Sequence, residues 1–231
     1  MIFEQLFDIK SSTYTYIISS GKGREALIID PVIEKTDEYI KVLKSLDLKL
    51  VKVIDTHIHA DHISGLNELS KRTKCSKIMG EKSSSEVLDI RVKDNEKIKI
   101  ENIELISMYT PGHTDCSYSF LMNDRVFTGD TLLINATGRT DFQSGSSHDA
   151  YDSLFNKLLK LPEKTLVFPA HDYNGKKYST IESEKNNNPR LQVNSADEYA
   201  EIMDNLNLEN PEMMDTAIPA NIKGFTLDHI N

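Results

Sequence analysis

The chain has 231 residues, of which 39% are hydrophobic and 27% are charged, and its formal net charge is −9. This length suits one large domain with a substantial core. The negative charge argues against a nucleic-acid partner, because phosphate binding needs clustered Lys and Arg. No apolar run approaches the roughly 20 residues that span a bilayer, so no membrane partner is expected.

Two further features bear on the cellular compartment. The cysteines, Cys75 and Cys116, are too few for a disulfide framework or a thiolate zinc cage within one chain. Residues 1–7 show neither a basic, signal-like start nor an Arg- and Ser-rich transit pattern. We therefore expect a cytoplasmic protein.

The first third of the chain predicts alternating strands and helices. Residues 11–20 and 25–30 have the composition of two strands joined by a glycine-containing turn. Thr36 is predicted to cap a helix, because apolar residues follow it at helical spacing. Residues 50–54 predict another strand, and a helix is expected from about Ser64 to Thr73.

The remaining elements complete a layered fold. Further strands are predicted at 77–79, 97–100, 104–109, 118–122, 125–128 and 165–170. Helices are predicted from Ser147 and from Ser195, which forms a capping-box pattern with Glu198. The order of elements favours a layered α/β sandwich with a single core. We expect one domain over residues 1–231, with the C-terminal helix and tail, from about residue 195, packed on it.

A histidine-rich stretch follows the strand at 50–54. His57, His59 and His62 lie within six positions, together with Asp61. Neutral imidazole is the commonest metal ligand in proteins, and a carboxylate is its usual companion. Burying so many polar groups together would be costly without a metal. The stretch therefore predicts a metal site on a loop at the end of a strand.

Three later residues are placed in the same way. His113, Asp130 and His171 each follow a predicted strand, with Gly, Pro or Ala beside them. Separate segments that each end in a candidate ligand are how metal sites are normally assembled. We therefore expect them to converge on the histidine-rich loop.

This sequence of motifs resembles the metallo-β-lactamase superfamily. The pattern is His-x-His-x-Asp-His after a strand, then an isolated His, a Gly-Asp and a later Ala-His. The resemblance implies an αββα four-layer sandwich, with the metal site at one edge between the two sheets.

Within that superfamily the chain resembles the persulfide dioxygenases, also called sulfur dioxygenases. The similarity extends over nearly the whole length, and residues 138–143 (GRTDFQ) and 171–173 (HDY) separate this family from the hydrolases best. Some members carry a cysteine where this chain has Thr137, so a role for that cysteine cannot be transferred. We expect a stand-alone enzyme without a rhodanese extension.

The resemblance implies the cofactor and the reaction. A single Fe(II) per chain is expected on His57, His113 and Asp130, and three donors on one face leave room for a persulfide sulfur and O2. The implied reaction oxidises the terminal sulfur of glutathione persulfide with O2 and water to sulfite and glutathione. The resemblance then places four further residues around the ligands, where they would orient them: His59, Asp61, His62 and His171. The family also suggests a homodimer.

Two residues are candidates for contact with the substrate. Arg139 could hold a glutathione carboxylate through a bidentate contact, or it could simply pair with Asp141. Tyr173 could place its hydroxyl near the sulfur or O2, or it could be an ordinary wall residue.

Two other functions remain open on sequence alone. A dinuclear zinc thioester hydrolase of the glyoxalase II type would place His59 with His57 and His113 on one metal. Asp61, His62 and His171 would hold the second metal, with Asp130 as the bridge. Zinc generally outcompetes Fe(II) at nitrogen and oxygen sites, so ligand types do not decide the metal. A non-catalytic metal- or sulfide-responsive binding protein is the weaker alternative.

Overall fold

Two six-stranded sheets form the centre of the molecule in the computed structural model, which describes residues 1–230. The strands of the first sheet lie side by side in chain order: β1 (Ile2–Asp8), β2 (Thr13–Ser19), β3 (Glu25–Ile29), β4 (Lys49–Ile54), β5 (Ser76–Gly80) and β6 (Ile90–Val92). Strands β1 to β3 pair antiparallel, whereas β3 to β6 pair parallel.

The second sheet is likewise built from strands that neighbour each other in the chain. Its strands are β7 (Lys97–Ile100), β8 (Ile103–Tyr109), β9 (Tyr118–Met122), β10 (Arg125–Gly129), β11 (Leu166–Pro169) and β12 (Ser179–Thr180). Only β10 and β11 pair parallel. The connection between these two strands contains the helix predicted from Ser147.

Helices cover the outer faces of both sheets. They are α1 (Thr36–Ser45), α2 (Leu66–Thr73), α3 (Ser147–Asp152), α4 (Ile181–Asn187), α5 (Ala196–Asp204) and α6 (Met214–Lys223). Residues from α1, α2 and α6 pack on the first sheet, whereas α3, α4 and α5 pack on the second. The fold is therefore the αββα sandwich that the sequence predicted. No helix among residues 1–230 is long and apolar enough to cross a membrane.

Strand alternation explains the layers. Leu27 and Ile29 of β3 face the core between the sheets, whereas Ala26 and Ile28 face the helices. In β10 of the second sheet, Phe127 packs in the same core between the sheets, whereas Val126 packs on the outer face against α3. Successive strand residues point to opposite faces, so strands with two buried faces read as continuous apolar runs.

One edge of the sandwich collects the carboxyl ends of several strands. Strands β3 and β4 run parallel, as do β10 and β11, so the residues that follow them emerge on one side. The two sheets are tied together there. Tyr14 donates its backbone N–H to the Ala170 carbonyl at 2.7 Å, and Tyr118 donates to the Thr56 carbonyl at 2.9 Å.

Several predicted boundaries differ from the structure. Thr36 is the first residue of α1 and not its cap, because a turn over Ile33–Lys35 precedes it. The helix from Ser147 is regular only to Asp152 and continues through a π-helical turn. The sequence analysis missed β1, an edge strand with mixed polarity. Both cysteines are buried and free, as small apolar residues would be.

Candidate metal centre

Three of the predicted residues converge at the strand-end edge. His57, His113 and Asp130 each present one ligand atom, and these atoms lie within 4.8 Å of one another. The Nε2 atoms of His57 and His113 lie 3.9 and 3.5 Å from Asp130 Oδ2. These separations are too long for good hydrogen bonds but suit donors arranged around a shared cation. Asp130 Oδ1 is buried and has no hydrogen-bond partner among residues 1–230. The donor set therefore fits a metal ion.

The ring of His57 is oriented by two residues beneath it. Its Nδ1 lies 3.0 Å from the Thr56 hydroxyl, which donates to Asp30 Oδ2 at 3.0 Å. Because Thr56 gives its proton to Asp30, it can only accept from His57, which places the imidazole proton on Nδ1. Burial, followed by the charge of neighbouring His59, holds the pKa of His57 well below its usual value. The Nε2 lone pair is thus free to bind a metal.

A short loop orients the other two members of the triad. The Nδ1 atom of His113 lies 2.8 Å from the Arg139 carbonyl, which can only accept, so Nε2 is again the free nitrogen. Gly138 donates its backbone N–H to the Asp130 carbonyl at 2.7 Å. A Cβ at Gly138 would lie 2.3 Å from that carbonyl oxygen and 2.9 Å from the His113 ring. Only glycine therefore fits between these two residues.

The remaining histidines and Asp61 form a second polar group. His59, Asp61 and His62 could also hold an ion by their mutual distances. Here, however, His62 Nδ1 lies 2.9 Å from Asp61 Oδ2, and His59 Nε2 lies 3.2 Å from Asp30 Oδ1. His171 Nε2 lies between Asp61 and Asp130, 3.5 and 3.7 Å from their carboxylates.

Charge balance explains the protonation of this second group. Burial alone disfavours a charged His171, but the charges of Asp130 and Asp61 outweigh it and raise the pKa to about 9. Burial would likewise raise the pKa of Asp61, yet His171 and His62 hold it well below its usual value. A positive imidazole therefore stabilises two partly buried carboxylates at neutral pH.

The C-terminal helix α6 fixes the backbone of the histidine loop. Asn221 donates from Nδ2 to the carbonyls of His59 and His62, at 2.9 and 3.0 Å. Its Oδ1 accepts from the Ser64 backbone N–H at 2.8 Å. One side chain therefore satisfies three buried backbone groups of the loop.

We expect Asn221→Leu to weaken metal binding without direct contact with the metal. The change leaves three buried backbone groups unpaired, and we expect the free energy of unfolding to fall by about 2–4 kcal/mol. Metal affinity should fall about 10–100-fold, measured by competition with a chelator. Asn186→Leu, at an exposed position of α4, is the matched control. Unchanged affinity in N221L would contradict a positioning role.

A cavity of about 600 Å³ opens beside the triad. His113, Asp130, Asp61, His62 and His171 contribute to its wall. Tyr173 also lines it and is 73% exposed, with its ring parallel to that of His171 at 6.2 Å. The volume suits a small peptide-sized molecule.

Arg139 also lines the cavity, but its guanidinium is already engaged. Nε and Nη2 donate to the two carboxylate oxygens of Asp141, each at 2.6 Å. Nη1 donates to the Glu209 carbonyl at 2.6 Å, and Nη2 reaches Leu208. The pairing with Asp141 considered from sequence is therefore present, and Arg139 fastens the 208–210 segment over the loop that holds His113.

Comparison with known proteins agrees with this geometry. The model of the metallo-beta-lactamase superfamily matches residues 9–99 and 84–171. The chain is 40% identical to the mitochondrial persulfide dioxygenase ETHE1 of Mus musculus over 226 residues, covering 96% of this chain and 88% of the mouse protein. The crystal structure of ETHE1 from Myxococcus xanthus has a TM-score of 0.94 and 44% identity, covering 96% of this chain and 98% of that one.

The chain belongs to the persulfide dioxygenase family of the metallo-β-lactamase superfamily. Hydrolases of the superfamily are less similar to it. The hydroxyacylglutathione hydrolase of Dictyostelium discoideum is 31% identical over 192 residues, covering 78% of this chain and 70% of that protein.

The sequence analysis of this persulfide dioxygenase family member missed two positioning residues. Asp30 and Asn221 touch the histidine loop but lie far from it in the chain. The position of Asp30 could have been predicted, because it follows β3, which runs parallel to β4, the strand that precedes the histidine loop. The position of Asn221 could not be predicted in this way, since α6 contains Pro219 and was not predicted as a helix.

Proposed function

We propose that this protein is an iron-dependent persulfide dioxygenase. The reaction oxidises the terminal sulfur of glutathione persulfide: GSSH, O2 and H2O give GSH, SO3²⁻ and two protons. The sulfane sulfur is oxidised, O2 is reduced, and the S–S bond breaks to release glutathione. The observation that carries the proposal is the triad of buried His57, buried His113 and partly buried Asp130, in a chain that matches persulfide dioxygenases over 96% of its length.

Ferrous iron is the cofactor that this reaction requires. Two neutral imidazoles and one carboxylate on one face are the donor set of non-haem iron oxygenases. Fe(II) held by these residues would pass single electrons between the persulfide sulfur and triplet O2, which redox-inert zinc could not do. We therefore propose one iron per chain.

The residues around the triad have separate roles in the proposed reaction. Thr56 and the Arg139 carbonyl keep the imidazole protons of His57 and His113 away from the metal side. His171 holds a proton between Asp61 and Asp130 and balances their charges. Phe142 packs edge-on against the His113 ring, with centroids 6.0 Å apart, and helps to exclude water.

The proposal is tested by product stoichiometry. Iron-loaded protein given glutathione persulfide should consume O2 and release sulfite in a ratio of about one to one, as the balanced reaction requires. Sulfite formation without O2 consumption would contradict a dioxygenase.

Tyr173 is proposed to contact the bound persulfide or O2. An ordinary phenol is protonated at neutral pH, so the Tyr173 hydroxyl at the cavity wall can donate a hydrogen bond. We expect Tyr173→Phe to lower kcat about 10–100-fold while iron content is unchanged.

The matched control for this variant is Tyr178→Phe. Tyr178 is 56% exposed and does not line the cavity, so Y178F should retain wild-type kcat. Wild-type kcat in Y173F would contradict a catalytic role for the hydroxyl and would show that Tyr173 only forms part of the cavity wall.

A dinuclear zinc hydrolase is the second candidate. The group of His59, Asp61 and His62 favours it, because these residues could hold another ion next to the triad. The lower similarity to hydroxyacylglutathione hydrolases than to persulfide dioxygenases favours the dioxygenase. Cleavage of S-lactoylglutathione by the zinc-loaded protein would support the hydrolase.

Cytoplasmic location and a homodimer stay predictions. The mouse relative is a mitochondrial protein by name.

A further inference from the structure

The cavity wall contains one half-buried cation that has no acidic partner among residues 1–230. Three basic residues line the cavity: Lys10, Arg139 and Arg190. Lys10 is exposed at the rim, and Arg139 is bound to Asp141. Arg190 is half-buried and makes no ion pair with an acidic side chain of residues 1–230.

The contacts of Arg190 fix its position but leave most of its donors free. Its Nη1 donates to the Thr137 carbonyl, and its backbone N–H donates to Asn188 Oδ1 at 3.1 Å. The Thr137 hydroxyl is in turn bonded to Tyr199 at 2.8 Å. A guanidinium has five N–H donors, so one bond to Thr137 leaves four without a partner among residues 1–230. Burial lowers the pKa of Arg190, because no nearby carboxylate compensates its charge.

Arg190 also lies close to the metal centre. Thr137, Gly138 and Arg139 are consecutive, and their backbones contact Arg190, Asp130 and His113 respectively. The Cα atoms of residues 137 and 139 are at most about 7 Å apart. Arg190 and His113 thus line the same cavity and are joined through three consecutive residues of one loop.

We propose that Arg190 binds a carboxylate of the thiol persulfide, and that Arg139 does not. The inference rests on the proposed function and names the group that the substrate must carry. A half-buried, unpaired guanidinium is stabilised by an anion, and its fork matches a carboxylate bidentately. Arg139 already binds the carboxylate of Asp141. Arg190 has no carboxylate partner among residues 1–230 and can bind one from the ligand.

The test compares two persulfides in O2-consumption assays with iron-loaded protein. Glutathione persulfide carries carboxylates, whereas the persulfide of 2-mercaptoethanol carries none. We expect Arg190→Gln to raise KM for glutathione persulfide about 10–100-fold, with kcat changed less than about threefold. KM for the 2-mercaptoethanol persulfide should be unchanged, and Arg190→Lys should recover part of the loss because it keeps the charge.

Arg24→Gln is the matched control, since Arg24 is exposed and does not line the cavity. Equal effects of R190Q on both substrates, or no effect on glutathione persulfide, would overturn the proposal.

A binding measurement separates this proposal from the dioxygenase activity. Glutathione itself, titrated by calorimetry, should bind R190Q about tenfold or more weakly than wild type. If wild-type protein consumes no O2 with either persulfide, the proposed function fails, and the calorimetry still decides the role of Arg190. Equal dissociation constants for wild type and R190Q would then overturn it.

Discussion

Asp130→Ala should abolish both metal retention and persulfide oxidation. Asp130 is the only carboxylate in the proposed triad, and its Oδ2 faces the Nε2 atoms of His57 and His113. Loss of an anionic ligand from a buried site removes both a bond and the charge that balances the cation. We expect metal affinity to fall more than about 100-fold, beyond the range of second-shell changes. Metal analysis after dialysis measures this directly.

The fold should survive this substitution. Asp130 follows β10, and its Oδ1 makes no hydrogen bond with residues 1–230. Removing the carboxylate therefore breaks no hydrogen bond of that atom. Circular dichroism of D130A should therefore match wild type. Asp204→Ala, at an exposed position near the end of α5, is the control and should keep metal and activity. A D130A protein that retains stoichiometric metal would refute the proposed ligand set.

Asp30→Asn should lower metal affinity about 10–100-fold although Asp30 touches no proposed ligand atom. Asp30 accepts from the backbone N–H of Thr56 at 2.7 Å and from its hydroxyl at 3.0 Å. An asparagine with its amide nitrogen at Oδ2 donates to the Thr56 hydroxyl, which must then donate to His57. The imidazole proton would move to Nε2, the atom that the metal needs.

This effect is separable from loss of stability. Thr56→Val removes the hydroxyl that joins Asp30 to His57 and should reduce affinity to a similar extent. Asp47→Asn, on the surface, controls for the loss of one negative charge. Chelator competition measures affinity and thermal melts of the metal-free proteins measure stability. Wild-type affinity in both D30N and T56V would show that the proton position on His57 is not set by Asp30.

The proposed metal ligands were predictable because of where they lie in the chain. His57, His113 and Asp130 each follow a strand whose residues are apolar enough to identify from sequence. Strands that run in the same direction end at the same edge, so strand-end residues converge. The layered sandwich was predictable from the order of strands and helices, and its four αββα layers were implied by the resemblance to the metallo-β-lactamase superfamily.

Residues that act through tertiary contacts were not predictable in this way. Asn221 is 162 positions from His59. In addition, Pro219 lies inside α6 and lacks a backbone N–H, so residue propensities do not predict this helix. The distinction between Arg139 and Arg190 depends on which guanidinium already has a carboxylate. Asp141, two residues from Arg139, suggested that pairing, but only the folded chain shows that Arg190 faces the same cavity unpaired.

The group of His59, Asp61 and His62 bears on the choice between a mononuclear dioxygenase and a dinuclear hydrolase. The second potential ligand group is present, but His59 is turned towards Asp30 and Asp61 is bonded to His62. In this arrangement His59 Nε2 and His62 Nδ1 have carboxylate partners, whereas His59 Nδ1 and His62 Nε2 are buried without a hydrogen-bond partner among residues 1–230. Under the proposed dioxygenase function these residues orient a single metal centre, whereas under the hydrolase alternative the two unpartnered nitrogens would bind a second ion.

The most direct test of the central claim loads the metal-free protein in parallel with ferrous iron under anaerobic conditions and with zinc. Each form is then given glutathione persulfide with O2 and, separately, S-lactoylglutathione. We predict about one iron per chain, with O2 consumption and sulfite release by the iron form alone and no thioester cleavage by either. Two zinc ions per chain, rapid thioester cleavage and no O2 consumption by the iron form would contradict it.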